Sequence, residues 1–227
     1  MNMIYDRFQN EAISHIQNGS SVIVCAPTGA GKTAIAEHII TSSIENNNCV
    51  IYTAPIKALS NQKFRDFQKK YGDSIGILTG DISLNPEAPV LIMTTEIFRN
   101  KILDAPGSLN KYSWVIFDEI HYIDNPERGT VWEESLMFLP PHMKVLGLSA
   151  TIPNIEQFAA WIESIHHKPI KTVIENNRPV PLQFFFQCQN KLSEKIEFFR
   201  FPCHGKQNRL DSPVSYTHLT LPTILRV

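Results

Sequence analysis

The stretch SVIVC, Ser21 to Cys25, runs directly into APTGAGKT, Ala26 to Thr33, and this junction decides the fold. The first half is a short apolar, β-branched run, as expected of a strand covered on both faces. The second is a glycine-bearing loop ending in a lysine and a threonine. Such a loop can cradle phosphate through its backbone N–H groups and the N-terminus of the helix that follows. Lys32 is then placed to neutralise the β- and γ-phosphates, and the Thr33 hydroxyl to reach Mg²⁺. Ala26 stands where the usual pattern begins with glycine. Far downstream WVIFDEIH, Trp114 to His121, repeats the device with two adjacent carboxylates. Together the two halves imply binding and hydrolysis of a magnesium–nucleoside triphosphate.

Other strands extend outward from this pair: NCVIYTA at 48–54, SIGILT at 74–79, PVLIMT at 89–94 and KVLGLS at 144–149. Helical stretches alternate with them at 32–44, 57–70, 95–103, 131–139 and 155–165. In the last of these, Ile155, Phe158, Ala159, Ile162 and Ile165 share one face. The alternation predicts an α/β fold, a doubly wound and mostly parallel sheet with its active residues at the carboxyl ends of the strands.

Rival readings attach to each motif. Gly29 to Ala34 also fits the G-x-G-x-x-A dinucleotide fingerprint, but the next strand ends Tyr52-Thr53-Ala54-Pro55, without the ribose-binding acid that reading needs. Asp118 and Glu119 by themselves suit a solvated turn. Carried to the sheet edge of the phosphate loop, they take distinct roles: Asp118 on Mg²⁺ and Glu119 on the attacking water. His121, just beyond, suits a sensor of the nucleotide.

Composition sets modest limits. The chain has 227 residues, a net charge of -1 and 19% charged residues, so nucleic acid would be held by local loops rather than by a basic face. The four cysteines show no paired spacing, which fits thiols in a reducing compartment and neither a disulfide framework nor a zinc site. No signal peptide is visible and no apolar run approaches a membrane span, so the expected location is cytoplasmic.

The motifs in order resemble the first motor domain, a RecA-like P-loop NTPase domain, of a superfamily-two DExH helicase of the superkiller-like RNA branch. The resemblance runs from about Tyr5 to Leu182, and a bacterial source is expected. Phe8-Gln9 with Glu11-Ala12-Ile13 resembles the glutamine motif that reads adenine. APTGAGKT (Ala26, Pro27, Thr28, Gly29, Ala30, Gly31, Lys32, Thr33) and DEIH resemble the nucleotide motifs. APIKALSNQK at 54–63, LTGD at 78–81 and MTTEIFRN at 93–100 resemble nucleic-acid-contacting motifs. They imply contacts from Pro55, Lys57, Asn61, Thr94, Thr95 and Arg99. Lys57 and Arg99 also read as solvated helix charges, and Thr94 and Thr95 as caps. Ser149-Ala150-Thr151 resembles the motif that couples hydrolysis to strand movement, giving Ser149, Thr151 and His121 coupling roles. ATP and Mg²⁺ are the implied cofactors and single-stranded or tailed RNA the implied partner. RNA is favoured over DNA by RGTVWEE at 128–134, and 3′-to-5′ movement is implied by resemblance alone.

Three segments are expected: 1–172 as the ATP-binding domain, 173–212 as a linker and truncated start of a second motor domain, and 213–227 as a non-native tail. VSYTHL at 214–219 resembles a translated sequencing adapter. A DNA-repair helicase and a short non-catalytic ATP-binding module are the alternatives. Removing residues from about Lys171 onward is expected to improve solubility and leave nucleotide affinity nearly unchanged.

Overall fold

The computed structural model describes residues 5–150, 152 and 154–178, together with the backbone of three short strands at 185–188, 191–193 and 224–225. The chain divides into two compact units, 1–179 and 180–227.

The first unit opens with helix α1 (Arg7–Gln17), followed by β1 (Ser21–Cys25), α2 (Thr33–Glu45), β2 (Cys49–Ala54) and α3 (Lys57–Tyr71). Next come β3 (Ile75–Leu78), β4 (Ser83–Leu84), β5 (Val90–Thr94), α4 (Thr95–Asp104) and β6 (Tyr112–Phe117). A single-turn 3-10 segment, Ile120–Asp124, leads to α5 (Gly129–Met137), β7 (Lys144–Ser149), α6 (Ile155–His166) and β8 (Ile170–Ile174). The eight strands pair in the order β4-β3-β5-β2-β6-β7-β1-β8, all parallel except β4, which is antiparallel to β3.

Period-2 alternation within the strands feeds two cores, one on each sheet face. Val22 and Val24 of β1 join Ile35, Ile39 and Ile40 of α2, Ile13 of α1 and Phe67 of α3. Ile23 and Cys25 point the other way, toward Phe98 of α4, Trp132 of α5 and Ile162 of α6. Helices thus cover both faces of a mostly parallel sheet, the doubly wound α/β architecture that the sequence predicts. Each fully buried isoleucine of α2 contributes roughly 1.5–3 kcal/mol, which holds the helix against the sheet directly behind the phosphate loop.

Strand β8 is absent from the sequence-based reading. Its Ile170–Ile174 lies in register with Ser21–Cys25 of β1, and Glu175 N donates to Cys25 O at 2.8 Å. The expected boundary at residue 172 therefore falls inside a paired strand, and so does a cut from about Lys171. The cut would strip a neighbour from the strand that carries the phosphate loop.

The second unit contains β9 (Phe185–Cys188), paired antiparallel with β10 (Lys191–Ser193) and with β11 (Ile224–Leu225). Apart from the backbone of β11, the tail expected to be non-native lies outside the described residues.

Candidate nucleotide and nucleic-acid site

The phosphate loop, Pro55, Thr94, Asp118-Glu119 and Ser149 fall at the carboxyl ends of their strands, and strand order sorts them into two neighbourhoods. The phosphate loop follows β1, Ser149 ends β7, and Asp118 and Glu119 follow β6; these three strands are adjacent. Pro55 follows β2, and Thr94 and Thr95 sit at the junction of β5 and α4, on the next strands along.

The phosphate loop is tied down at both ends. Ala26 N donates to Ser149 O at 3.1 Å, anchoring the loop to the end of β7. Gly29 and Gly31 hold φ of +88° and +84°, a left-handed backbone that glycine adopts without strain. Behind the loop, Gln9 Nε2 donates to Gly31 O at 3.0 Å. Lys32 Nζ donates to Ala26 O at 2.7 Å and Pro27 O at 3.2 Å, so the ammonium lies inside the loop. Burial lowers its pKa from the ordinary lysine value, against the opposing pull of Glu119 and Asp118.

Asp118 is buried and doubly engaged. Tyr52 OH donates to Asp118 Oδ2 at 2.5 Å, and Lys63 Nζ stands 3.6 Å from the same oxygen. Burial, and next the Asp118 charge, push the Tyr52 phenol well above its ordinary pKa, so it remains a donor. Lys63 Nζ also donates to Thr33 Oγ1 at 2.9 Å. An ammonium thus bridges the two residues expected to serve Mg²⁺. The same hydroxyl and carboxylate, both hard oxygen donors, suit a magnesium ion.

Glu119 adopts φ 56°, ψ 45°. A non-glycine residue held in the left-handed region costs on the order of 1–3 kcal/mol and marks a site where direction matters more than backbone comfort. The turn swings Glu119 out of the strand line while Asp118 stays buried. His121 Nδ1 lies 3.3 Å from Glu119 Oε2, within ion-pair range but not aligned for a hydrogen bond.

Ser149 is fully buried, and its Oγ has no hydrogen-bond partner among the described residues. Thr95 Oγ1 is in the same situation. Thr151 lies outside the described residues. Cys25 Sγ accepts from Ile152 N at 3.1 Å, linking the end of β1 to the segment after Ser149.

The residues expected to contact nucleic acid are less uniform. Lys57 Nζ pairs with Asp81 at 2.5 Å, joining two of the motifs across an exposed surface. Asn61 is partly exposed on α3. Pro55 is buried, and its carbonyl accepts from Arg128 Nη1 at 3.1 Å. Arg99 Nε lies 3.5 Å from Glu134 Oε2 of α5, so its guanidinium faces a neighbouring helix. Thr94 is the N-cap residue of α4 and is buried. Tyr52, Lys63 and Arg128 are site residues that sequence reasoning missed. Lys63 closes the quoted APIKALSNQK, but nothing in that string marks its ammonium as directed at the carboxylates.

The sequence model of the DEAD/DEAH box helicases matches residues 6–158. The chain is 47% identical over 194 residues to superkiller complex protein 2 of Homo sapiens, covering 86% of this chain and 16% of that protein. It is likewise 47% identical over 182 residues to the exosome RNA helicase MTR4 of Homo sapiens, covering 80% of this chain and 17% of the relative. The chain thus spans less than a fifth of the length of these relatives. Among solved structures, the Mycobacterium smegmatis helicase Lhr bound to ssDNA and AMP-PNP matches with a TM-score of 0.61 at 26% identity, over 74% of this chain and 25% of that one. The helicase MrfA bound to DNA shares the fold, with a TM-score of 0.62 at 20% identity over 76% of this chain and 27% of that one. With its phosphate loop and Asp118-Glu119 at one sheet edge, and with a family match across most of the first compact unit, the chain belongs to the DEAD/DEAH box helicases.

Proposed function

We propose that this chain is the ATP-binding first motor domain of a superkiller-like DExH RNA helicase, which couples ATP hydrolysis to 3′-to-5′ movement on RNA. The observation that carries the reading is the meeting of Lys32, Thr33, Asp118 and Glu119 from two distant loops, with a cation already bridging Thr33 and Asp118. The 47% identity to relatives named as RNA helicases favours RNA.

Lys32 and the loop N–H groups would hold the β- and γ-phosphates, with Gln9 behind the loop on the side where adenine is read. Thr33 and Asp118 would hold Mg²⁺, which supplies charge neutralisation on the phosphates. Glu119, turned out of the strand line, would orient and deprotonate the attacking water. His121, 3.3 Å from Glu119, and Ser149, whose carbonyl holds the phosphate loop, would pass a change at the γ-phosphate to the coupling motif. Pro55, Lys57, Asn61, Thr94, Thr95 and Arg99 form the neighbouring region proposed for RNA. An arginine finger is worth about 10³–10⁵ in rate, and in this proposal it comes from a second motor domain, so the first domain by itself binds more than it turns over.

No helix among the described residues is long and apolar enough to cross a membrane; the proposed RNA-helicase reading takes the protein to act in the cytoplasm. Titration of AMP-PNP with Mg²⁺ tests the nucleotide reading. Lys32→Ala should weaken binding at least tenfold, about 1.4 kcal/mol; equal affinities would rule out the phosphate cradle. The ssDNA in the Lhr structure favours DNA as a second reading. RNA- against DNA-stimulated ATPase in a chain carrying both motor domains separates the two.

A further inference from the structure

The ammonium of Lys63 stands where a metal ion is expected. It donates to Thr33 Oγ1 at 2.9 Å, lies 3.6 Å from Asp118 Oδ2 and sits 5.8 Å from the centre of the Tyr52 ring. Its side chain is 19% exposed and that of Asp118 11%, so water screens this pair poorly. Lys63 belongs to α3, the helix whose first residue, Lys57, lies in the region proposed for nucleic acid. Six residues at about 1.5 Å each place the two lysines roughly 9 Å apart along one rigid element.

The geometry points to Lys63 as a placeholder cation. It holds Thr33 and Asp118 together in the metal-free domain and must leave that position when a magnesium nucleotide loads. The inference rests on the nucleotide-binding reading above. Without Lys63, the Tyr52 hydroxyl is the one direct side-chain partner left to the buried Asp118 carboxylate among the described residues, the Lys32 ammonium attracting it without direct contact, so more of its charge faces incoming phosphates. With Lys63, metal-free nucleotide meets a neutralised carboxylate. Mg²⁺ has to compete with the ammonium for the same two oxygens, so removing the lysine acts in opposite directions with and without metal.

Calorimetric titration of AMP-PNP into the whole chain, in excess MgCl₂ or in EDTA, tests this. Lys63→Met should weaken binding in EDTA at least tenfold and leave binding in MgCl₂ equal or several-fold tighter. In an Asp118→Asn background the same substitution should change the EDTA affinity by a clearly smaller factor than in the wild type, because the carboxylate that Lys63 faces is gone. Lys63→Arg, which keeps the charge, should preserve most of the wild-type EDTA affinity. As an independent readout, MgCl₂ without nucleotide should raise the melting temperature of Lys63→Met more than that of the wild type. Parallel losses in both conditions, or an unchanged EDTA affinity, would overturn the placeholder role. If wild type binds and Lys32→Ala does not while Lys63→Met behaves as wild type, the nucleotide reading survives and this inference falls. Absence of AMP-PNP binding by wild type under either condition would sink both.

Discussion

Gln9 Nε2 donates to the carbonyl of Gly31 at 3.0 Å, so the helix before β1 supports the loop after it. The other end of the same amide accepts from Asp6 N at 2.8 Å, closing the first turn of α1. One side chain thus links a helix start to the phosphate loop, and it is only 6% exposed. Gly31 is fixed in turn: a Cβ added there would lie 2.8 Å from Gln9 Nε2, on a backbone already at φ +84°.

Gln9→Ala should therefore act on the loop as well as on the base recognition proposed for it. The variant loses both the Gly31 and the Asp6 hydrogen bonds, at about 1 kcal/mol each, or roughly 4–8 °C in melting temperature together for a domain of this size. One amide proton and further acceptor capacity remain on Gln9 for adenine, so the variant should also lose preference for ATP over GTP. Thermal melts and paired titrations check this; an unchanged melt with altered base preference would show that the Gly31 contact carries no stability.

The legible parts of the fold were those with strong local chemistry. The strands around Val22, Val50, Val90, Val115 and Val145 are buried on both faces, and their apolar runs show it. Strand β8 buries Ile170 and Val173, three positions apart and so on opposite faces, and leaves Lys171 and Ile174 exposed, a pattern that fits neither strict alternation nor a continuous apolar run. The two residues of β4 are exposed and give no burial signal. In the site, Lys32, Thr33, Asp118 and Glu119 sit in recognisable strings. Lys63 and Tyr52 gain their meaning from where α3 and β2 lie relative to Asp118, which depends on tertiary packing.

Truncation tests the importance of β8. A chain ending at residue 178 should keep the melting temperature and AMP-PNP affinity of the first unit. One ending at residue 170 loses most of the strand paired with β1, including Val173 at 1% exposure, and should melt well below it or fail to fold. Equal stability of the two truncations would show that β8 is dispensable.

His166 gives the fold an acid limit. Its Nε2–H donates to Leu136 O at 2.7 Å, and burial lowers its pKa below the ordinary histidine value. Burial does the same to His38. In both cases the unfolded chain binds protons more readily, so stability is full above the unfolded value of about 6.5 and declines as pH falls from there toward the lowered folded value. Urea unfolding should show lower stability at pH 5.5 than at 7.5, and His166→Gln should reduce that difference. A pH response unaltered in His166→Gln would assign the acid sensitivity to other groups.

Glu119 separates binding from chemistry, and its test belongs in a chain carrying both motor domains. Its left-handed backbone turns it away from the line of β6, whereas Asp118 stays buried against Tyr52 and Lys63. The two carboxylates should therefore fail differently. Glu119→Gln keeps the side-chain shape and removes the charge that activates water. ATP affinity should stay within about a few-fold while kcat drops by about 10²–10⁴, the range for a lost general base. Asp118→Asn leaves the Lys63 ammonium without its counter-charge and removes a proposed metal ligand, so it should alter the magnesium dependence of binding itself. In Glu119→Gln, ATP should also prolong the residence of the protein on single-stranded RNA, because the closed state can no longer be discharged by hydrolysis. Steady-state ATPase assays and RNA dissociation rates with and without ATP measure both effects. Near-normal turnover in Glu119→Gln would move the base elsewhere and reduce the left-handed turn after Asp118 to a structural detail.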